Sequence, residues 1–184
     1  MPTFSKRSLI VLTVLAVLLV MLFLLVYYVY LSPTGWKAQQ NALLRKTDSD
    51  AQAQYTSLDG TAVSLSDYGG EVLLVNVWAS WSPFTPEEHR MLEELVKIYG
   101  DTIHIVALDR MEDPVTARAY LDTIGRKEGI EYVLDAHDDF FKTTEGYAMP
   151  ETILFDRVGN VHFHKRGTLD IPEIKAKIDD LLQK

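Results

Sequence analysis

The chain has 184 residues, of which 47% are hydrophobic and 24% charged, and its formal net charge is −8. This acidic balance argues against a protein that binds nucleic acid through its overall charge, because phosphates are repelled by such a surface. The chain contains no cysteine, which excludes thiol catalysis and disulfide bonds. Its length accommodates one membrane anchor and one domain of ordinary size.

An uncharged apolar run covers residues 9–31 and is long enough to span a bilayer core. Lys6 and Arg7 precede it, while tyrosines and Trp36 lie at its far end, as is typical of a membrane interface. The alternative is a cleaved signal peptide, but the run is longer than the usual apolar core of such peptides, and no small-x-small cleavage site follows. We therefore predict a transmembrane signal anchor over 9–31, after a cytoplasmic N-terminus at 1–8 and before a tether at 32–51.

The charges are distributed unevenly along the chain. Five basic residues and no acids precede Thr47, so the other 13 basic residues and all 26 acids give the rest of the chain a net charge of −13. Lys6 and Arg7 favour a cytoplasmic N-terminus with the domain outside, although three basic residues on the other flank oppose this orientation, namely Lys37, Arg45 and Lys46. The acidic domain is expected to repel anionic lipid and nucleic acid and to attract a basic partner, although solubility is a simpler explanation of the charge.

Strand and helix patterns alternate from residue 52 onward. A D-G turn between two short strands predicts a hairpin over residues 55–63. Residues 71–78 are almost continuously apolar, which is typical of a strand covered on both faces. A helical pattern follows over residues 86–99, and Gly100 is placed to end it.

The second half of the chain continues the alternation and ends in a hairpin and a helix. This order predicts a mixed α/β sandwich over residues 52–184. The predicted elements are a strand at 103–108, a helix from Asp113 to Gly125, a strand at 132–134, a short helix at 139–144, strands at 151–156 and 160–164, and a helix at 171–182.

Two segments resemble the signature regions of thioredoxin-like proteins. Residues 78–88 read W-A-S-W-S-P-F-T-P-E-E and resemble the active-site pattern W-A-S-W-C-P-x-C-x-x-E, with Ser82 and Thr85 in place of the two cysteines. Residues 146–152 read G-Y-A-M-P-E-T and resemble the G-x-x-x-P-T-T segment whose proline is cis. The resemblance covers residues 52 to the C-terminus and points to membrane-anchored TlpA/ResA-type proteins of cytochrome c maturation and periplasmic thiol reduction. It implies a thioredoxin-like mixed sheet flanked by helices.

Ser82 and Thr85 cannot perform the chemistry of the cysteines that they replace. Thiol–disulfide exchange proceeds through a thiolate and a mixed disulfide, and a hydroxyl oxygen forms neither. A serine hydrolase at Ser82 would need an oriented base, but His89 lies about two helical turns further on, and no G-x-S-x-G elbow is present. The sequence therefore predicts no catalytic residues at this site.

The acidic residues after Thr85 have a structural explanation. Thr85, Pro86 and Glu88 fit a capping box, with Thr85 as the N-cap and Glu88 at the third helical position. In the resembled family, a glutamate at the position of Glu88 assists proton handling at the cysteines. Because no thiol is present here, we favour the capping role for the retained Glu88.

The resemblance also implies a peptide-binding surface. In the family, the residue before the cis proline offers backbone hydrogen bonds to an extended peptide, and Met149 holds that position, with a cis bond predicted at Met149–Pro150. Glu151 replaces a small threonine and could alter or block the groove. The predicted surface consists of Trp81, Ser82, Pro83, Phe84, Met149 and Pro150, with Trp78 in the core.

The histidines and the loop acids offer a weak signal for metal binding. His162 and His164 alternate on one strand and share a face, but two histidines without a third ligand do not define a site. We expect both to face solvent. The acids around His137 could bind a cation, although loop or helix-capping roles are simpler; these are Asp135, Asp138 and Asp139. We predict no metal and no cofactor.

Two functions remain open at this point. The first is a redox-inactive, membrane-anchored module of the cell envelope that binds a protein or an extended peptide and no nucleic acid. The second is a redoxin-type oxidoreductase, for thiol–disulfide exchange or cytochrome c maturation, that works with a partner's cysteines. Both place a single-pass protein in a bacterial cell membrane, with its soluble domain outside the cytoplasm.

Overall fold

The computed structural model describes residues 6–27 and 55–183. The chain divides into two units, Met1–Gln40 and Asn41–Lys184. In the first unit, helix α1 covers Lys6–Val26. No helix within the described ranges combines the length and the apolar character that a membrane crossing requires. The last residues of the predicted anchor and the whole predicted tether at 32–51 lie outside the described residues, so both assignments stay predictions.

A seven-stranded mixed sheet forms the centre of the second unit. Its strands lie in the order β2-β1-β5-β4-β3-β6-β7. Strands β1 and β2 form the predicted hairpin, and β6 and β7 form the terminal hairpin. The strands are β1 Tyr55–Ser57, β2 Ala62–Val63, β3 Leu73–Trp78, β4 His104–Arg110, β5 Glu131–Asp135, β6 Glu151–Phe155 and β7 Val161–Arg166.

Four helices accompany this sheet in the described part of the second unit. Each buries an apolar stripe, as the 3.6-residue period of its sequence requires. The side chains of Asp113 and Asp170 accept backbone hydrogen bonds at the starts of two of them, where amide groups would otherwise lack partners. The helices are α2 Thr85–Tyr99, α3 Pro114–Ile124, α4 Asp139–Thr143 and α5 Ile171–Leu182, with short 3₁₀ turns at Leu65–Tyr68 and Gly100–Thr102.

Strand β3 lies in the middle of the sheet and is buried along its whole length. Leu74 and Trp78 belong to the core cluster that includes apolar residues of α2, α3 and α5, while Val75 and Val77 belong to the cluster on the other face. β3 pairs in parallel with β4 and antiparallel with β6. The carboxyl ends of β3 and β4 therefore lie at the same edge of the sheet as the amino end of β6. We call this edge the carboxyl edge.

The elements predicted within residues 55–182 are all present, with shifts of a few residues at their ends. The strand predicted from residue 71 begins at Leu73, and the strand predicted over 103–108 extends to Arg110. Shifts of this size are usual at the ends of helices and strands, where the assignment depends on single hydrogen bonds. The mixed α/β sandwich is confirmed.

Gly129 should tolerate substitution less well than a glycine of the same backbone conformation at an open turn. Gly129 has φ +78° and a Cβ there would lie 2.5 Å from Val96 Cγ1, whereas Gly159 has φ +79° and nothing within 4 Å. Gly159→Ala should cost about 1–2 kcal/mol from the left-handed backbone alone. Gly129→Ala should cost about 1–3 kcal/mol more, because it also overpacks the α2 contact. Urea unfolding of the full chain in detergent measures both costs, and equal costs would contradict the packing argument.

Candidate functional site

The segment between β3 and α2 folds back on the carbonyl of Ala79. The Ser82 amide donates to this oxygen at 3.1 Å, and the Thr85 hydroxyl donates to it at 2.8 Å. The Thr85 amide donates to the Ser82 carbonyl at 3.3 Å, which places the two residues one turn apart. Ser82 is 3% exposed and Thr85 1% exposed. Both residues at the cysteine positions are therefore enclosed, and the Thr85 hydroxyl has a fixed backbone partner.

The predicted capping box at Thr85 is wrong. Helix α2 begins at Thr85 itself, Phe84 occupies the N-cap position, and no side chain makes a capping hydrogen bond. The Thr85 hydroxyl is used by the carbonyl at the end of the preceding strand, so it is not available to the amides of the first turn. The carboxyl groups of Glu87 and Glu88 still lie in the first turn of the helix, where the helix dipole favours negative charge.

Glu88 is a buried structural link rather than a capping residue. Its Oε2 accepts from the Asn76 side chain on β3 at 3.0 Å, and its Oε1 accepts from the Leu169 amide before α5 at 2.8 Å. Asn76 also donates to the Thr152 hydroxyl on β6 at 2.9 Å. Burial raises the pKa of Glu88, and the Leu169 and Asn76 hydrogen bonds partly oppose this effect. A polar network thus joins two central strands, α2 and the approach to α5.

His89 is not placed to act as a general base for Ser82. Its ring is fully buried between Trp78 and Tyr132, with centroid distances of 5.0 Å and 5.5 Å. Neither ring nitrogen has a hydrogen-bond partner among the described residues. Burial, followed by the charge of Lys127, lowers the pKa of His89 to about 4. The geometry agrees with the prediction that no Ser82–His89 pair forms.

The predicted peptide-binding residues differ in their exposure. Trp81 is 61% exposed, Phe84 is 47% exposed, and Pro83 is also exposed. Met149 is half-buried, and the Met149–Pro150 peptide bond is cis, as predicted. The pairing of β6 with β3 brings Met149 and Pro150 to the carboxyl edge, beside the segment that carries Trp81. Ser82 and Pro150 are buried, so the aromatic side chains form the accessible part of this set.

Glu151 points into the protein, so the expectation that it alters or blocks the groove does not fit its fully buried position. Its Oε1 accepts from the amides of Tyr147 and Ala148 at 3.0 Å and 3.2 Å, and its Oε2 lies 3.2 Å from His164 Nε2. Arg166 Nε lies 3.7 Å from Glu151 Oε1. Burial alone would raise the pKa of Glu151, but these hydrogen bonds and the charge of His164 outweigh it and lower the pKa. Through these two amide hydrogen bonds, the buried Glu151 carboxylate holds the loop before β6 against the protein interior.

The prediction that both strand histidines face solvent is wrong for His164. The His164 side chain is 8% exposed because it packs against Glu151, while that of His162 is 22% exposed and lies 3.3 Å from Asp180. The two rings have different carboxylate partners. In the described part of the chain, no group of three or more His, Cys, Asp or Glu side chains is arranged to hold a metal ion.

The acids near His137 have structural partners. Asp135 accepts from the amides of Asp139 and Phe140, both at 2.9 Å, and so satisfies the start of α4. Asp138 binds the Arg110 guanidinium at 2.6 Å and 2.9 Å. These are the loop and helix-capping roles that the sequence suggested as the simpler alternative to a cation site.

Sequence reasoning missed an acidic pair at the carboxyl edge. Glu112 accepts from the Ser80 amide at 2.6 Å and from the Ser80 hydroxyl at 2.5 Å, which ties the loop after β4 to the segment before Trp81. Asp109 is fully buried on β4, in register with Trp78. Burial, followed by the negative charge of Glu112, raises the pKa of Asp109 to about 8. The signal in the sequence is a carboxylate, Asp109, at the carboxyl end of the apolar run 103–108.

Asp109→Asn should remove part of the pH dependence of stability. Because folding raises the pKa of Asp109 from 3.8 to about 8, the folded chain keeps a proton that the unfolded chain releases above about pH 4. This contribution to stability is complete below about pH 4 and is lost as the pH rises to about 8. Between pH 5 and 8, the free energy of unfolding of the wild type should fall by up to about 4 kcal/mol relative to that of Asp109→Asn, at about 1.4 kcal/mol per pH unit.

The measurement for Asp109 is the free energy of unfolding across this pH range, by denaturant titration. The exposed Glu128→Gln is the matched control and should give a curve parallel to the wild type. A parallel curve for Asp109→Asn would show that Asp109 is not held protonated by the fold.

Glu151→Ala should destabilise the domain by about 3–5 kcal/mol, because it leaves His164 and Arg166 beside an empty site. Glu151→Gln should cost less, since its carbonyl oxygen still accepts from the Tyr147 and Ala148 amides. The matched control is Glu173→Ala, which removes the more exposed ion pair with Lys165 and should cost at most about 1 kcal/mol.

Hydrogen exchange provides the local readout for Glu151. The amides of Tyr147 and Ala148 should exchange faster in Glu151→Ala and remain protected in Glu173→Ala. Unchanged protection in Glu151→Ala would contradict the role of this side chain in holding the loop.

Comparison with known proteins agrees with this geometry. The Redoxin family matches residues 44–182. The thiol:disulfide interchange protein DsbE of Haemophilus influenzae is 30% identical over 101 residues, which are 55% of this chain and 54% of that protein, so the chain spans about half of its length. The thiol-disulfide oxidoreductase ResA of Bacillus thuringiensis is 24% identical over 130 residues, 70% of this chain and 72% of ResA.

Solved structures show the same fold. A structure from Chlorobium tepidum, described as a DsbE-type thiol:disulfide interchange protein, superposes with a TM-score of 0.64 at 22% identity and covers 69% of this chain and 90% of its own. At this identity the likeness establishes the thioredoxin-like α/β fold alone. Because the family match extends over most of its length, the chain belongs to the Redoxin family.

Proposed function

We propose that this protein is a redox-inactive, thioredoxin-like binding module of the cell envelope, which holds an extended segment of a partner protein. The observation that carries the proposal is the replacement of both motif cysteines by Ser82 and Thr85 in a chain without any cysteine. The binding surface proposed at the carboxyl edge consists of Trp81, Ser82, Pro83, Phe84, Met149 and Pro150.

The chemistry of the two hydroxyls supports a non-catalytic role. Exchange requires a thiolate that attacks a disulfide, and neither hydroxyl offers an equivalent nucleophile. The Thr85 hydroxyl donates to the Ala79 carbonyl, and Ser82 is enclosed at 3% exposure. The Ser82 hydroxyl accepts from the Phe84 amide at 3.4 Å, and the nitrogens of His89 form no hydrogen bond within the described residues.

The exposed aromatic side chains support a binding role. Trp81 and Phe84 flank Ser82 and leave 61% and 47% of their surfaces open. Large aromatic side chains contribute much of the energy at protein interfaces when a partner covers them. Met149, on the neighbouring segment before β6, adds a half-buried apolar side chain and its own backbone groups.

The proposed location follows from the N-terminal sequence and from the named activities of the relatives. The apolar run at 9–31, with Lys6 and Arg7 before it, suits a single-pass anchor with a cytoplasmic N-terminus. Disulfides persist mainly outside the cytoplasm, so relatives named for thiol:disulfide interchange favour an extracytoplasmic domain. We propose a bacterial membrane as the site of the protein.

The second candidate function is thiol–disulfide exchange in which a partner supplies the cysteines. The named activities of DsbE and ResA favour it, and the fold retains the helix start at which such chemistry occurs. It differs from the first candidate in one measurable property, which is redox activity in the presence of the partner.

Cysteines introduced at residues 82 and 85 test whether the missing thiols alone explain the absence of redox activity that we propose. We expect no insulin reduction by the wild type with dithiothreitol above the rate of the reagent alone. The double variant Ser82→Cys/Thr85→Cys should gain activity, because a thiol at a helix N-terminus has a lowered pKa. The single variant Thr85→Cys is the control and should stay near background. Activity in the wild type would contradict the proposal.

Photocrosslinking from an exposed position tests the binding role. We would replace Phe84 by p-benzoyl-phenylalanine in the membrane-bound protein, because Ser82 is too enclosed for a reporter. The same replacement at Val158, which is 74% exposed on the β6–β7 turn, is the matched control. A discrete adduct from position 84 alone supports the binding module, and adducts of equal pattern from both positions would contradict it.

A further inference from the structure

Three loops come together at the carboxyl edge, and this follows from the pairing of the strands. β3 and β4 run in parallel, so the residues that follow each strand, 79–84 and 111–115, leave the sheet at the same edge. β6 runs antiparallel to β3, so the residues before it, 147–150, arrive at that edge. The Ser80–Glu112 hydrogen bonds join the first two loops directly.

Exposed apolar side chains are concentrated on these three segments, the second of which includes the first two residues of α3. Residues 55–183 contain seven large hydrophobic side chains with high exposure, and five of them lie in the three segments. Only Ile98 and Val158 lie elsewhere within that range. Isolated exposed apolar residues need no explanation, but a concentration of them on one edge marks an interaction site. The five are Trp81 at 61%, Phe84 at 47%, Met111 at 61%, Val115 at 72% and Tyr147 at 79%.

Met111 is presented to solvent by an unfavourable backbone conformation. Its φ is +61°, a value that costs a residue other than glycine about 1–2 kcal/mol. The Met111 amide donates to the carbonyl of Asp135, at the end of β5, at 3.0 Å, and this hydrogen bond holds the conformation. The fold therefore maintains a strained residue whose side chain is largely exposed, as is typical of residues that serve binding.

The ion pairs near the carboxyl edge leave an excess of acidic side chains. Each guanidinium near the edge has an acidic neighbour: Arg90 pairs with Glu87 and Arg110 with Asp138. Arg166 lies 3.7 Å from Glu151, and its guanidinium lies 4.9 Å from the centroid of the Tyr147 ring. Further acids, by contrast, form no ion pair within residues 55–183; these are Glu112, Asp113 and Glu145. The chain from Thr47 onward carries a net charge of −13.

We propose that the partner segment is cationic and apolar, an extended stretch in which Lys or Arg residues alternate with large apolar side chains. The inference rests on the proposed function and adds the chemistry of the partner. The apolar residues of such a segment cover the five exposed side chains, and its cations face Glu112, Asp113 and Glu145. Complementary charge of this kind increases the association rate and excludes acidic partners.

The test uses the full chain in nanodiscs of zwitterionic phosphatidylcholine, with empty nanodiscs as background. Three fluorescein-labelled peptides of equal length serve as probes: alternating Lys with Leu and Phe, the same peptide with Glu for Lys, and the same peptide with Ser for Leu and Phe. Fluorescence anisotropy should show that the first binds at least about tenfold more tightly than either of the others, with an affinity that falls as salt is added.

Matched variants locate the binding. Met111→Asn/Val115→Ser should weaken the first peptide about tenfold, and asparagine tolerates the backbone of Met111. The control Ile98→Ser/Val158→Ser removes exposed apolar side chains away from the edge and should leave the affinity unchanged. Glu145→Gln should weaken binding of the first peptide and reduce its salt dependence, whereas the equal charge change Glu128→Gln, on a loop at the opposite edge, should not.

The outcomes separate the partner chemistry from the proposed function. Equal binding of the Lys and Glu peptides, or equal effects of edge and control variants, overturns the cationic partner. If no peptide binds while position 84 still gives discrete photoadducts, the partner class is wrong and the binding module stands. If neither peptides nor photoadducts appear with a folded protein, both proposals fail.

Discussion

Strand β3 is the constraint on which the rest of the molecule depends. It has a parallel neighbour on one side, an antiparallel neighbour on the other and an apolar layer on each face. A strand enclosed in this way has one register, because a slip of one residue would exchange its two faces. Its carboxyl end therefore fixes Ala79, whose carbonyl oxygen organises the Ser82–Thr85 turn. The loops of the candidate site take their positions from this strand.

The sequence predicted the fold well because its signals are local and repeated. The apolar run of β3, the glycine after α2 and the Asp113-Pro114 helix start each reflect a preference of a few residues for one backbone state. The cis bond at Met149–Pro150 was predicted from resemblance, since a sequence alone gives a low expectation for it. Burial of Trp78 and exposure of Trp81 also agree with the sequence pattern.

The side-chain partners at the site were less predictable, because they depend on residues distant in sequence. Thr85 fits a capping pattern, but the Ala79 carbonyl competes for its hydroxyl. His164 looks like a surface residue until β6 places Glu151 beside it. Glu88 looked like part of a first helical turn, yet its partners are Asn76, 12 residues earlier, and Leu169, 81 residues later. Local patterns contain no information about contacts of this range.

The Asn76–Glu88–Leu169 network has a consequence for how this fold can change its chemistry. Both oxygens of Glu88 are committed to structural hydrogen bonds, and neither bond involves residue 82 or 85. The hydrogen bonds of Glu88 are thus independent of the side chains at residues 82 and 85, although Thr85 adds its own hydrogen bond to the Ala79 carbonyl. The scaffold and the reaction can therefore vary separately: thiols at both positions would enter a helix start whose placement is already secured, while this carboxyl group keeps its structural partners.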